Sequence, residues 1–222
     1  CQQLADLLMV DADESSFTPH HEAHCLHLDA SGTGRGAAAL PNLAAHRLNE
    51  GITNISELLR KSELVVLLTA LGGGTGSGAT AEIAAKSRES GSLVISIVGI
   101  PFAEQPLRCA IAEKALPPIE RNSDLCIRVS LERLAWQARH RDSDWKLGSE
   151  WIGELIEGLV TTLARVGKIN LDLMDLRTVV GRPGNATLIV VNGNPEDPDG
   201  VVRMARNSPL SEISVDGAKG CL

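Results

Sequence analysis

The feature that most constrains this chain is residues 64–81, "LVVLLTALGGGTGSGATA". A near-continuous apolar run passes straight into Gly72-Gly73-Gly74-Thr75-Gly76-Ser77-Gly78. So dense a run of glycine is costly in backbone entropy, so something must come close enough to that backbone to exclude side chains. Where such a run joins a strand to a helix, the first N–H groups of the helix lack intrahelical partners and lie at the positive end of its dipole. The residues read as a phosphate cradle, with Thr75 and Ser77 adding hydroxyls. The plain alternative is a tight strand–helix turn without a ligand. A third reading is a dinucleotide site. Gly76-x-Gly78-x-x-Ala81 loosely fits G-x-G-x-x-A, and Glu104 lies near the end of the next strand, but the fit uses only the tail of the run. No Gly-Lys-Ser/Thr follows, which excludes a Walker A loop.

The flanking pattern supports an α/β domain. Leu7–Val10, Leu64–Leu71, Ser92–Ile100 and Leu125–Val129 read as strands; the second and third are β-branched and bounded by turn residues, as buried parallel strands are. Ala79–Ser90 reads as a helix, and "IAEKALPPIERNSD" as another, broken near Pro117-Pro118. Strand and helix alternating at this spacing give βαβ units and a parallel sheet with helices on its faces. From Ser143 the period changes. Leu147, Trp151, Leu155, Leu159 and Leu163 recur every four residues, and Ile152, Ile156 and Val160 widen the stripe. This predicts one amphipathic helix to about Arg165, ~23 residues and ~34 Å long. Ser143 or Asp144 is its expected N-cap, and Gly167 ends it. Beyond it the reading places a strand over Ala186–Gly193, a helix from about Asp199, and the start of a strand at "DGAKGCL".

Composition narrows the function classes. The 222 residues carry a formal net charge of −7. A nucleic-acid partner is not expected, because the only basic cluster, Arg139-His140-Arg141, has Asp142 and Asp144 beside it and reads as a solvated loop. Cys1, Cys25, Cys109, Cys126 and Cys221 are odd in number and widely spaced, which suits reduced thiols in a cytosolic setting. No apolar run approaches the ~18–20 residues that cross a bilayer, so no direct membrane insertion is expected.

"GGGTGSG" (Gly72–Gly78) resembles the signature of the tubulin/FtsZ superfamily. "NLDLMDL" (Asn170–Leu176) and "NSPLSEISVDGAKG" (Asn207–Gly220) resemble FtsZ rather than tubulin. The resemblance runs along nearly the whole chain. It implies a Rossmann-like parallel-sheet GTPase domain over 1–142, a central connecting helix over 143–166, and a catalytic loop with an incomplete second α/β domain over 167–222. The family's first phosphate loop is expected before residue 1, and most of its second domain after Leu222.

The resemblance also implies site residues. Gly72, Gly73, Gly74, Thr75, Gly76, Ser77 and Gly78 contact the nucleotide phosphates. "MVDAD" (Met9–Asp13) is similar to a segment near the nucleotide, with Asp11 and Asp13 matching. "SGTGRGA" (Ser31–Ala37) matches a loop that closes over the γ-phosphate, which brings in Gly34, Arg35 and Gly36. Arg35 stands where a small residue is usual; it either binds phosphate bidentately or points to solvent. "PFAEQPLR" (Pro101–Arg108) resembles a motif whose Glu and Arg hold the ribose region, here Glu104 and Arg108. A family Asn that contacts the nucleoside falls on Leu131. The aromatic that stacks on guanine falls on Trp145. The acid or amide that reads the guanine edge falls on Ser149, which cannot grip both N–H donors as a carboxylate does.

Gly167, Asn170, Asp172 and Asp175 reproduce the family's catalytic G-x-x-N-x-D-x-x-D, a loop that acts in the pocket of the neighbouring subunit. Read from the residues alone, two carboxylates three apart at a helix start can share a side and polarise a water. Equally, Asn170 or Asp172 can simply cap that helix.

The implied function is a GTP-binding, GTP-hydrolysing cytoskeletal protein that polymerises head to tail into filaments for cell division. GTP/GDP with Mg2+ is the implied ligand, self-association and other cell-division proteins are the implied partners, and the cytoplasm at the division site the implied location. The alternative is a non-hydrolysing FtsZ-like structural or regulatory filament partner. Leu131, Ser149 and Arg35 favour that alternative; Asn170, Asp172 and Asp175 favour the enzyme. No metal site is expected in "HHEAHCLH" (His20–His27), because His20, His24 and Cys25 do not form H-E-x-x-H and a strand there would not converge them. Trp136 and Trp151 read as packing residues, and Phe102 as pocket wall or core.

Overall fold

The strand ahead of the glycine run, Leu64–Ala70, sits in a parallel sheet but is half-buried to exposed rather than buried as its apolar run predicts. Leu68 is 55% exposed, because among the described residues this is an edge strand. The computed structural model describes residues 5–17, 23–29, 36–140, 145–164, 171–181, 187–189, 191, 193–208, 210 and 216–217. In chain order they form β1 (Leu7–Asp11), a 3-10 turn at Glu14–Ser16, β2 (Ala23–His27), α1 (Pro41–Gly51), α2 (Thr53–Lys61) and β3 (Leu64–Ala70). Then come α3 (Gly74–Glu89), β4 (Leu93–Ile100), α4 (Pro106–Asn122), β5 (Leu125–Ser130), α5 (Leu131–Arg139), α6 (Trp145–Ala164), α7 (Leu173–Val180) and α8 (Pro198–Arg206). The chain divides into two compact units, 1–128 and 129–222.

In the first unit, β1 pairs with β2 in parallel, and a second sheet has the order β3-β4-β5. The β3–β4 ladder is parallel and runs from Leu64 opposite Leu93 to Ala70 opposite Gly99. β4, "LVISIVGI", is buried at all but its last residue, as a strand covered on both faces must be. Its one polar core side chain, Ser96, is hydrogen-bonded to Ser123 at 2.7 Å. Helices cover both faces. One core joins Ala44 and Leu48 of α1, Ile55 and Leu59 of α2, and Ala79 and Ile83 of α3 to Leu26 of β2. Another joins Ala112 and Ile119 of α4 to Leu71 and Val98. The α/β class with parallel sheets and flanking helices is therefore as the sequence predicts.

Several local expectations change. The helix after the glycine run begins at Gly74 rather than Ala79, inside the run itself. α4 continues through Pro117 and Pro118 instead of breaking. Each proline removes one i→i−4 bond, to the carbonyls of Glu113 and Lys114. Those two residues are exposed, and burial of Ala112, Ala115 and Ile119 on the opposite face holds the helix in register. α1 and α2 were not anticipated. Pro41 at the first position of α1 and apolar pairs four apart, Ala44/Leu48 and Ile55/Leu59, account for them.

In the second unit, α6 buries Trp151, Leu155 and Leu159 as its predicted stripe requires. Its expected N-caps, Ser143 and Asp144, and Gly167 lie outside the described residues. Arg139 belongs to the last turn of α5 rather than to a loop. Trp136 is not a packing residue. It is 54% exposed and lies against the His140 ring, centroids 3.8 Å apart, one helical turn on. Of the strand expected over 186–193, the described residues carry no ladder. The helix expected near Asp199 is α8, capped by the Asp197 side chain on Gly200 N–H. Among the described residues, no helix is long and apolar enough to cross a membrane. The described cysteines, Cys25, Cys109 and Cys126, are free thiols.

Candidate functional site

Substituting an imaginary methyl at each glycine of the run shows what the run accommodates. At Gly72, whose φ of +93° already favours glycine, the added carbon would lie 2.8 Å from Arg108 Cβ. At Gly74 it would lie 2.6 Å from Ala37 Cβ. At Gly76 it would collide with the carbonyl of Ala70, and at Gly78 with that of Pro41. Only at Gly73 does it meet nothing within 4 Å. Most of the run is therefore glycine because the protein's own backbone presses on it. Gly73 alone faces open space.

Gly73 is also the N-cap residue of α3. It is extended at φ −100°, and no side chain caps the helix there. The first turn of α3 therefore presents backbone N–H groups toward the open position. The two hydroxyls are already engaged. Ser77 Oγ accepts from Gly72 N–H at 2.9 Å, which fixes the turn while leaving the hydroxyl proton able to donate elsewhere. Thr75 Oγ1 donates to Asp11 Oδ1 at 3.1 Å. That bond ties the end of β1 to the start of α3. Asp11 Oδ1 also accepts from Ala12 N–H at 2.6 Å and Asp13 N–H at 3.3 Å. Asp13 caps the 3-10 turn, accepting from both the backbone N–H and the hydroxyl of Ser15. Those bonds hold its carboxyl below the usual aspartate value.

Arg108 lies in the first turn of α4, with its backbone against Gly72, and both Arg108 and Glu104 are exposed. Cys109 Sγ and Gln105 N–H both donate to the carbonyl of Phe102, which shapes the turn between β4 and α4. Phe102 itself is half-buried. On the other side of the run, Gly36 has φ +55°, and buried Ala37 packs on Gly74. Gly34 and Arg35 lie outside the described residues. The structure thus brings together Asp11, Gly36, Gly72–Gly78 and Arg108 around the start of α3. The dinucleotide reading loses its basis, since Gly76 and Gly78 are spent on contacts with Ala70 and Pro41.

Two residues here escaped the sequence reading. Arg47 of α1 donates from Nη1 to the Gly36 carbonyl at 3.1 Å, and its Nη2 lies 3.4 Å from Asp29 Oδ1. The Asp29 side chain is 1% exposed. A charged pair eighteen positions apart leaves no periodic signal, and Arg47 sits among alanines and leucines like any solvated helix residue.

In the second unit, Ser149 is exposed on α6. Trp145 opens that helix; its side chain is outside the described set. Leu131 is the first residue of α5, whose N-cap Ser130 accepts from Arg133 N–H at 3.1 Å. Asn170 lies outside the described residues. Asp172 and Asp175 form a capping box at the start of α7. Asp172 Oδ1 accepts from the N–H groups of Met174 (2.8 Å) and Asp175 (2.9 Å), and Asp175 Oδ2 accepts from Asp172 N–H (3.1 Å). The capping alternative is thus realised. Both residues are exposed, and among the described residues the second oxygen of each makes no hydrogen bond.

Comparison with known proteins gives a consistent answer. The family described as Tubulin/FtsZ, GTPase domain, matches residues 1–137. The chain is 33% identical over 193 residues to cell division protein FtsZ 1 of Archaeoglobus fulgidus, covering 85% of this chain and 52% of the relative. It is 30% identical over 224 residues to cell division protein FtsZ of Mycoplasmopsis pulmonis, covering 97% of this chain and 56% of the relative. The chain therefore spans about half the length of these curated relatives. Among solved structures, an empty FtsZ dimer from M. jannaschii superposes with a TM-score of 0.82 at 25% identity, covering 96% of this chain and 64% of that one.

Proposed function

The chain belongs to the tubulin/FtsZ family, and on that premise we propose that it is a GTP-binding, GTP-hydrolysing filament protein of cell division. The observation that carries this reading is the open position at Gly73 in front of an uncapped helix N-terminus, second in a glycine run otherwise locked by its own backbone contacts. Such a position suits a phosphate, which gains N–H donors and a favourable dipole without displacing a side chain. Asp11, bonded to Thr75, and the turn that begins at Gly36, packed on Gly74 through Ala37, lie beside the run. Mg2+, which prefers phosphate oxygens with one or two carboxylates, would find Asp11 as the acid nearest the run. Arg108 and Glu104 serve the ribose region, and Trp145 and Ser149 the base.

The hydrolytic half is assigned to Asn170, Asp172 and Asp175, contributed by an adjacent subunit in a head-to-tail filament. Phosphoryl transfer to water depends on positioning and on charge stabilisation more than on covalent chemistry. The capping box holds Asp172 and Asp175 in fixed rotamers and leaves one oxygen of each to orient an attacking water. Self-association would then switch turnover on, with the division site in the cytoplasm as the location and other division proteins as further partners.

Two variants test the shared site. Gly73→Asp fits the space, supplies a good N-cap, and puts a carboxylate where phosphate would lie. It should fold normally and lose GTP. Asp172→Asn keeps a capping side chain and should bind GTP but not turn it over. Mixed, the two should recover turnover that rises more steeply than linearly with protein concentration. A mixture of folded, associating variants that stays as inactive as its components sinks the shared-site mechanism.

A further inference from the structure

Arg47 and Asp29 have no role assigned above, and their contacts converge on one turn that begins at Gly36. Gly36, Ala38 and Ala39 all have positive φ, at +55°, +46° and +56°. Alanine enters that region only when its surroundings hold it there. Inside the turn, Leu40 N–H donates to Ala37 O at 2.7 Å. Ala37 is buried and packs on Gly74, the first residue of α3. The turn is thus pressed onto the start of the helix that carries the cradle.

The Arg47 guanidinium reaches this turn from α1. One nitrogen donates to the Gly36 carbonyl, and another pairs with the Asp29 carboxylate just beyond β2. The Arg47 side chain is only 18% exposed and that of Asp29 only 1%, so water does little to screen the pair. A planar fork can satisfy two acceptors at once, which an ammonium on a flexible stem cannot do in the same geometry. Three successive pieces of the chain are thereby tied together: the residues just after β2, the strained turn and α1.

We propose that Arg47 is a positioning residue, seated by Asp29, that clamps the Gly36–Leu40 turn over the glycine run and so fixes the seat of the nucleotide's terminal phosphate. The role rests on the nucleotide reading above, because that reading sets the loop ending at Gly36 over the γ-phosphate. Arg47 itself touches no reacting atom. It acts through the turn, and its loss should fall on discrimination between GTP and GDP more than on GDP binding.

The test uses the whole chain and two variants. Arg47→Lys keeps a charge for Asp29 but cannot hold both acceptors. The double variant Arg47→Gln/Asp29→Asn removes both charges, so neither is left buried alone. Two readouts are taken: amide hydrogen exchange of residues 36–40 without nucleotide, and the ratio of GTP to GDP affinity by titration. In both variants exchange of the turn should rise about tenfold while β4 is unchanged, and the GTP/GDP affinity ratio should fall about tenfold, the loss of one charge-assisted hydrogen bond. Wild-type exchange of the turn in both variants overturns the clamp. Faster exchange with an unaltered affinity ratio overturns the positioning role. A wild-type chain that binds neither nucleotide overturns the reading beneath it, and the exchange data then decide the clamp on their own.

Discussion

The glycine junction before α3 and the acidic start of α7 are both helix N-termini, built on opposite plans. At α3 the donors of the first turn are left without a side-chain cap, and the surroundings are backbone packed on backbone. At α7 the corresponding donors are taken by two carboxylates that cap each other's residues, and the surroundings are solvent. A helix start that withholds its cap keeps its donors for a ligand. One that caps itself offers only what the capping leaves over, here one oxygen on each of two aspartates. The first arrangement suits binding an anion, the second suits handling a water.

The contrast breaks most visibly if glycines of the run are exchanged. Gly78→Val would drive a side chain into the Pro41 carbonyl and should destabilise by about 3 kcal/mol or more, read as a fall in the thermal midpoint. Gly73→Ser, five positions away, should leave stability unchanged or raise it by about a few tenths of a kcal/mol, because serine is the better cap. Equal losses at the two positions would show that the open space at Gly73 is illusory.

At α7 the effect is smaller. Asp172→Ala removes a cap and should cost about 1 kcal/mol, whereas Asp172→Asn should cost little. Urea denaturation of both variants separates capping from chemistry. If both lose turnover but only alanine loses stability, the remaining carboxylate oxygen is what hydrolysis needs.

The smallest expected effect is at Asp13. Its carboxyl titrates below the usual value because Ser15 bonds to the ionised form. Its contribution is therefore present above the unfolded value and is lost as pH falls through the folded one. Asp13→Asn should lower stability slightly at neutral pH and leave it unchanged at pH below the folded value, so that the acid side of the profile flattens. An acid-side slope left unchanged by the substitution would contradict the assignment.

Much of this fold was legible because its signals are local. The apolar strand before the glycine run, the four-residue stripe of α6 and the acids at α7 are each contained in one stretch of sequence. What each glycine does was not legible. That depends on Ala37, Pro41, Ala70 and Arg108, which arrive only when the chain folds. The same holds for Arg47 and Asp29. The prolines of α4 misled for a related reason: local propensity predicts a break, and the buried face of Ala112, Ala115 and Ile119 overrides it. Trp136 misled in the other direction, since a large aromatic ring suggests a core and here lies on the surface over His140.

The unequal crowding of the glycine run has a consequence for how variants of this chain would look inside a cell. Abundance follows the balance between folding and proteolysis, and a loss of one or two kcal/mol can lower it several-fold. A cell carrying a bulky residue at Gly76 or Gly78 would hold little of the protein, and its phenotype would be one of scarcity. A cell carrying one at Gly73 would hold the normal amount of a chain that folds and cannot seat its ligand. Immunoblot levels would separate the two before any activity was assayed. Within this single motif, the same exchange of glycine for a larger residue would be a defect of supply at one position and a defect of chemistry at another.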